Sequence, residues 1–189
     1  MPTERGERRR GALLEAAAAL LEEEGFAAVT HRAVAARAGL PLASTTYYFA
    51  SREQLVEEAV HHSADRYIGA ARARAAGVGP ADAPPERLAA AIVDLVAGDA
   101  DEAQLLTIYE RYIQAGRHPG LRAHVTAWTD ELVTLVADVL ARTGREADRA
   151  RARRLVALAD GLLISGLVAG DGRATERARE ALAEALADG

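Results

Sequence analysis

Five hydroxyls stand in one short run, Ser44, Thr45, Thr46, Tyr47 and Tyr48, on a segment whose length and flanks read as a helix. A helix meant only for a core would carry Leu and Ile there, whereas hydroxyls donate to phosphate oxygens. Arg32 stands before the run and Arg52 after it, and guanidinium charge persists at every accessible pH. The chemistry indicated is recognition of a polyanion by fixed donors, not the making or breaking of bonds. The competing reading is a solvated Tyr/Thr-rich helix anchored in a core by Phe49. Arg8, Arg9 and Arg10 similarly read either as a solvated helix start or as a phosphate-contacting arm.

Catalytic constellations are absent from the sequence. The chain has no Cys, which excludes disulfides, thiolate metal sites and cysteine nucleophiles. Its five His, at 31, 61, 62, 118 and 124, include no HExxH and no pair four residues apart. His61 and Asp65 share a helix face but lack a third ligand, so no metal is expected. Ser165, in GLLISGL, lies mid-helix and reads as packing, since a nucleophile elbow needs a strand-turn-helix context. No Gly-rich phosphate loop follows a strand, and neither enzymatic activity nor a cofactor is expected. The net charge of −5 argues against a protein that coats nucleic acid without regard to sequence. That charge is uneven, however: the first 52 residues hold seven Arg against six Glu, and the deficit lies beyond them.

The elements that must position these residues are helical. Half of the 189 residues are hydrophobic, only 4% are aromatic, and all 23 basic residues are Arg in an Ala-rich chain. Apolar residues recur at helical period throughout and no alternating run survives, so the fold class is all-α with about nine helices. They are expected at 7–24, 31–38, 41–49, 51–76, 85–97, 101–116, 119–143, 146–169 and 175–187. Gly25, Gly39 and Gly116 act as stops, Thr30 as an N-cap, and Ser51/Gln54 and Asp101/Gln104 as capping boxes. The stretch GVGPADAPP, residues 77–85, reads as a loop. Helices two and three around Gly39 form a helix-turn-helix corner. A division at 1–50 for that corner and 51–189 for a helical body follows. No signal-peptide run and no apolar stretch of membrane-spanning length occurs, so a cytoplasmic protein without membrane contact is expected.

From Ala12 to Leu55 the chain resembles the DNA-binding domain of the TetR family of transcriptional repressors. The resemblance is carried by Gly25-Phe26, Val29-Thr30, Val34-Ala35, Ala38-Gly39-Leu40, Tyr48-Phe49, and Ser51-Arg52-Glu53 with Leu55. It implies three N-terminal helices for DNA, a fourth joining them to a ligand-binding body, and homodimerisation through the last two helices. It also implies that Thr30, His31 and Arg32 meet the phosphate backbone and that Pro41, Leu42, Ala43 and Ser44 approach base edges. Thr45, Thr46, Tyr47 and Tyr48 would follow, with Arg52 as a phosphate-binding residue. Family members commonly carry Ser-Lys-Gly where this chain has Pro41-Leu42-Ala43, and an aromatic where it has Thr46. Losing that basic residue shifts the expectation from guanine hydrogen bonds to contact with thymine methyls. The mechanism implied is a population shift, in which a ligand among helices four to eight moves helix four and changes the spacing of two DNA readers.

Two further sets of residues are read from the sequence itself. Ala157, Gly161, Ser165 and Ala169 recur every fourth residue on helix eight, a strip of small side chains that lets another helix approach closely, in the same chain or in a two-fold partner. With Ala178, Leu182 and Leu186 on helix nine they suggest a four-helix dimer interface. Tyr67, Tyr109, Tyr112 and Trp128 could wall a cavity for a small-molecule effector, with Arg66, Arg111, His62 and His124 as polar anchors, although core packing explains the aromatics equally well. The function expected is a homodimeric regulator, most naturally a repressor, released from an inverted-repeat operator in double-stranded DNA by an effector. The alternative is a helical dimeric protein-interaction module.

Overall fold

The computed structural model describes residues 4–79 and 84–187, so residues 80–83 of the loop expected at 77–85 lie outside the described residues. Among the described residues there are nine α-helices and no strand. They are α1 (Glu4–Glu24), α2 (His31–Arg37), α3 (Leu42–Tyr48), α4 (Arg52–Ala76), α5 (Pro85–Ala97), α6 (Glu102–Arg117), α7 (Pro119–Arg142), α8 (Arg149–Ala169) and α9 (Ala174–Ala187), with a 3₁₀ turn at Phe26–Ala28. The all-α expectation is met nearly helix by helix.

The boundaries follow from local chemistry. Thr30 caps α2, its Oγ1 accepting from the Ala33 amide at 3.2 Å. Gly39, at φ +64°, supplies the left-handed residue that turns the chain from α2 to α3. The Gln54 amide donates to Ser51 Oγ at 3.2 Å, while the Gln54 side chain accepts from Ala50, one residue earlier than a standard capping box. Asp101 and Gln104 make the reciprocal pair at 2.8 and 3.0 Å. Helix α8 starts at Arg149, not at 146, because the Asp148 carboxylate accepts from the Ala150 and Arg151 amides and so sits at the cap. Pro41 precedes α3 for a related reason: its ψ of 144° is extended, and helical geometry begins at Leu42.

Packing divides the chain into two units, and the division differs from the expected boundary after residue 50. The first unit comprises the chain up to Arg66 together with Leu106–Val125. Leu13, Leu21, Phe26, Val34, Phe49 and Leu55 form its core, and Ala115, Leu121 and Val125 join them. Those three apolar residues draw the end of α6 and the start of α7 into the unit that holds the helix-turn-helix. The second unit comprises Tyr67–Leu105 and the chain from Thr126 onward. There α9 packs against both α5 and α8, burying Leu88, Ile92, Leu163 and Leu182.

Gly166 shows how closely α8 and α9 meet. A Cβ there would stand 2.6 Å from the Ala174 Cα, a backbone atom that cannot move without moving the first turn of α9. Gly166→Ala is therefore expected to lower unfolding stability by about 1–3 kcal/mol in urea titrations, since overpacking costs more than the helix propensity gained. Leu182→Ala, which empties a fully buried site, should cost about 2–5 kcal/mol in the same assay.

Candidate nucleic-acid interface

The seven residues of α3 present two unlike faces. Leu42, Ala43, Thr46 and Tyr47 point outward, with Leu42 47% and Tyr47 81% exposed, while Thr45 and the following Phe49 are sealed inside. The split follows helical period, because positions 42 and 46, and 43 and 47, stack one turn apart on the same side. Thr45 is a correction to the five-hydroxyl reading: it is fully buried, and its Oγ1 donates to the Leu42 carbonyl at 2.8 Å instead of facing a groove. Tyr48 is half-buried and packs against the core, its ring edge-to-face with Tyr47 at 4.9 Å. Ser44 is half-buried, and Thr46 is exposed with its Oγ1 3.3 Å from the Ala43 carbonyl.

The first turn of α2 carries the other expected contacts. Thr30 accepts with its oxygen as the cap, which leaves its O–H able to donate outward. Arg32 is exposed and His31 half-buried. Arg52 behaves otherwise than its sequence position suggested. Its Nε donates to the Val29 carbonyl at 2.9 Å and its Nη2 to the Phe26 carbonyl at 2.5 Å, so it fastens the 3₁₀ turn to the first turn of α4. Any phosphate contact must use the remaining, solvent-facing part of the guanidinium. Nothing in the residue type or spacing distinguishes such an internal clamp from a phosphate ligand.

Two more arginines of this unit are spent on its own carboxylates. Arg37 forms a fork on Glu23 at 2.8 and 2.5 Å, and the guanidinium holds the Glu23 carboxyl below its usual range. Arg10 pairs with Glu58 and lies over the Phe49 ring, 5.6 Å from its centre. Arg8 and Arg9, on the second turn of α1, are exposed.

The residues expected at an effector site fall into separate groups. In the second unit Tyr67 and Trp128 contact each other, ring centres 4.6 Å apart, and the Tyr67 hydroxyl donates to the Leu95 and Val96 carbonyls. In the first unit Tyr109 and Tyr112 stack at 6.2 Å and Arg111 is buried. Arg66 and His62 are drawn away to α1: Arg66 bonds Glu15 at 2.8 Å and Glu22 at 2.7 Å, and His62 meets Glu15 at 2.8 Å. The His62 hydrogen bond, followed by the Arg66 charge, lowers the Glu15 pKa. These surface pairs replace the anchoring role expected of the two side chains. His124 stands edge-on to His61 at 5.0 Å. The His61–Asp65 pair is 3.4 Å apart and exposed, and no group of three or more metal-ligating side chains occurs among the described residues.

The expected dimer residues also separate. Ala157, Gly161, Ser165 and Ala169 all lie on the exposed side of α8, flanked by Leu158, Ile164 and an 84%-exposed Val168. Ala178, Leu182 and Leu186 are buried within their own chain and offer no surface to a partner. They are corrected to core residues, because an Ala/Leu face on a last helix serves its own chain first when α5 and α8 stand beside it.

A short helix held across a second one by a glycine turn, with an outward polar-apolar face and arginines at its margins, defines a DNA-binding regulator of the helix-turn-helix class. Comparison with known proteins agrees. The family profile described as "Bacterial regulatory proteins, tetR family" matches residues 13–59, and that described as "Tetracyclin repressor-like, C-terminal domain" matches 83–188. The HTH-type transcriptional regulator BetI of Burkholderia mallei is 31% identical over 168 residues, covering 84% of this chain and 81% of its own. Among solved structures, multidrug binding protein EbrR complexed with proflavin is 32% identical with a TM-score of 0.72, covering 93% of this chain and 98% of that one. A transcriptional regulator from Streptomyces coelicolor A3(2), SCO7518, is 30% identical with a TM-score of 0.70, covering 94% and 97%. The chain belongs to the TetR family of transcriptional regulators, a family of DNA-binding proteins and not of enzymes. No helix among the described residues is long and apolar enough to cross a membrane.

The two arginines flanking α3 should separate in solution. Arg32→Ala is expected to leave unfolding unchanged and to lower the slope of log affinity against log salt by about one, as loss of a single phosphate contact does. Arg52→Ala should lower stability by about 1 kcal/mol through its lost carbonyl bonds. Denaturant titrations of both variants beside DNA titrations at several salt concentrations measure the difference.

Proposed function

We propose that the protein acts in the cytoplasm as a homodimeric repressor that grips an inverted-repeat operator and lets go of it when a small molecule binds. The outward face of α3 carries this reading. Leu42, Ala43, Thr46 and Tyr47 offer two apolar groups and two hydroxyls to a groove, backed by a helix that cannot turn because Thr45 and Phe49 are sealed beneath it. Leu42 and Ala43 suit thymine methyls, and the hydroxyls suit phosphates or base edges. Thr30, His31 and Arg32 flank them on the backbone side.

Dimerisation is supported by the exposed side of α8. Gly161 has nothing within 4 Å of where a Cβ would stand, so its own chain does not require a glycine there, whereas a helix approaching from a partner would. Ala157, Ser165 and Ala169 continue the same low strip, and Leu158, Ile164 and Val168 supply apolar area beside it. A two-fold dimer must set its two α3 helices about 34–36 Å apart, or a multiple of that, to meet successive major grooves. Effector response is supported by the family and by EbrR, whose complex contains proflavin. Tyr67 with Trp128, and Tyr109 with Tyr112, are the aromatic surfaces suited to a planar apolar molecule. Release requires that the effector bind one spacing of the readers better than the other.

Selection from a random duplex library should return an inverted repeat whose affinity falls steeply with salt. Thymines facing Leu42 should lose their advantage by about 1–3 kcal/mol in Leu42→Ala. Gly161→Glu, which puts a charge into the α8 strip, is expected to sediment as a folded monomer and to lose operator binding. A dimer that survives this substitution moves the interface elsewhere, and a folded dimer enriching no site indicates a protein-interaction module.

A further inference from the structure

A cavity of about 380 Å³ opens within the first unit, and none of the residues read from the sequence as effector contacts lines it. Its apolar floor is made by Phe26 from the 3₁₀ turn, Val56 from α4 and Leu121 from α7. Around that floor stand three carboxylates, Glu53, Glu57 and Glu110, on two different helices. One guanidinium, that of Arg52, also lines the space, but its Nε and Nη2 are turned onto the Val29 and Phe26 carbonyls.

Two of the carboxylates are seated where glycines make room for them. Glu57 Oε1 occupies the position just above Gly120, only 1.7 Å from where a Cβ would lie, so any side chain there would displace it. Gly120 is the second residue of α7 and has no positive φ, and the flexible end of the Glu57 side chain fills the space a Cβ would take. Glu110 Oε2 lies 3.3 Å from the Cβ position of Gly25, while its Oε1 accepts from Gln114 at 3.2 Å. The Glu53 carboxyl is held below its usual range by its own backbone amide and the Ser51 hydroxyl.

We propose that this cavity binds a small organic cation with an apolar body, an amidinium or an alkylammonium. The apolar floor takes the hydrocarbon and the carboxylate rim takes the charge, the usual division of labour in a small-molecule site. The volume admits a single substituted ring. Its occupant touches the 3₁₀ turn that Arg52 fastens to α4, and that turn leads through Val29 and Thr30 directly into α2. Binding therefore bears on the orientation of the helix-turn-helix from a place distinct from the aromatic pair of the second unit. Occupancy of the cavity is independent of the repressor reading above; only its effect on DNA rests on that reading.

The test uses the full chain with benzamidine, and benzamide as its neutral isostere, in isothermal calorimetry and in amide chemical-shift titrations that follow Phe26 and Gly120. Benzamidine should bind, and benzamide should bind at least tenfold more weakly. Glu57→Gln and Glu110→Gln should each weaken benzamidine by about tenfold, the loss expected for one charge-assisted hydrogen bond. Ala27→Trp, at an exposed position on the cavity wall, should block binding without removing any charge, and so covers the case in which a Glu variant folds poorly. Equal binding of the two compounds, binding unchanged in all three variants, or no binding at millimolar benzamidine would each overturn the proposal. With a selected operator, benzamidine should change the affinity of the unsubstituted protein and leave that of Ala27→Trp unmoved. Binding without any such change overturns the coupling alone, whereas failure to select an operator counts against the repressor reading and leaves the calorimetric result intact.

Discussion

The burial of Phe49 is the constraint on which the DNA-reading half of the molecule depends. Helices α2 and α3 have seven residues each, too few to persist in water, where a costly nucleus is repaid only over several turns. Their shape and direction must come from what they pack against. Phe49 ends α3 and enters a core with Leu13, Val34 and Leu55, so one side chain ties the recognition helix to α1, α2 and α4 together. Arg10 closes the outer side of the ring by laying its guanidinium over it. Thr45 completes the inner face by satisfying its hydroxyl on its own helix, which lets a polar residue be buried without an unpaired group. What remains outside, Leu42 to Tyr47 on one side, is presented as a fixed surface and not as a flexible segment.

Most of the architecture was legible in the sequence because helical period and capping chemistry are local. Thr30, Ser51, Asp101 and the glycine stops each act within four residues, and they set the observed limits to within a few positions. What was not legible depends on contacts between distant segments. The five hydroxyls of Ser44–Tyr48 stand in one run, but which of them face outward depends on the side from which the core approaches. Arg52 carries the same charge whether it meets a phosphate or two carbonyls, and only the position of the 3₁₀ turn decides. The small-residue strip of α8 and the Ala/Leu face of α9 looked like one interface. They are two surfaces with opposite fates, because α9 packs back onto α5 and α8.

Glycine illustrates the same limit at single residues. Gly161 and Gly166 lie five apart on one helix and cannot be told apart by type. Gly166 is required by the Ala174 backbone, whereas Gly161 faces open space in the single chain. Gly120 belongs to a third kind, covered by the movable end of a carboxylate side chain from a different helix. What stands over each glycine is set by how the helices pack, which residue type alone does not reveal. The conformational argument, that glycine tolerates positive φ, applies to Gly39 and to none of these three.

The arrangement of arginines carries the argument through to function. Of the seven in the first 52 residues, Arg10 and Arg37 are paired to carboxylates, and Arg52 is bonded to carbonyls. Arg5, Arg8, Arg9 and Arg32 are the ones left on the exposed surface, on a chain whose net charge is −5. The electrostatic footprint offered to DNA is therefore much smaller than the arginine count implies. Phosphate contacts give most of the affinity that does not depend on sequence, so a small footprint keeps nonspecific binding weak. In the proposed function, discrimination falls on the shape and apolar contacts of Leu42 and Ala43 and on the donors of Thr46 and Tyr47. Those contacts are useful only if the helix bearing them is held without play. The internal use of Arg10 and Arg52 thus spends donors that could have met phosphates and fastens the element proposed to read the bases.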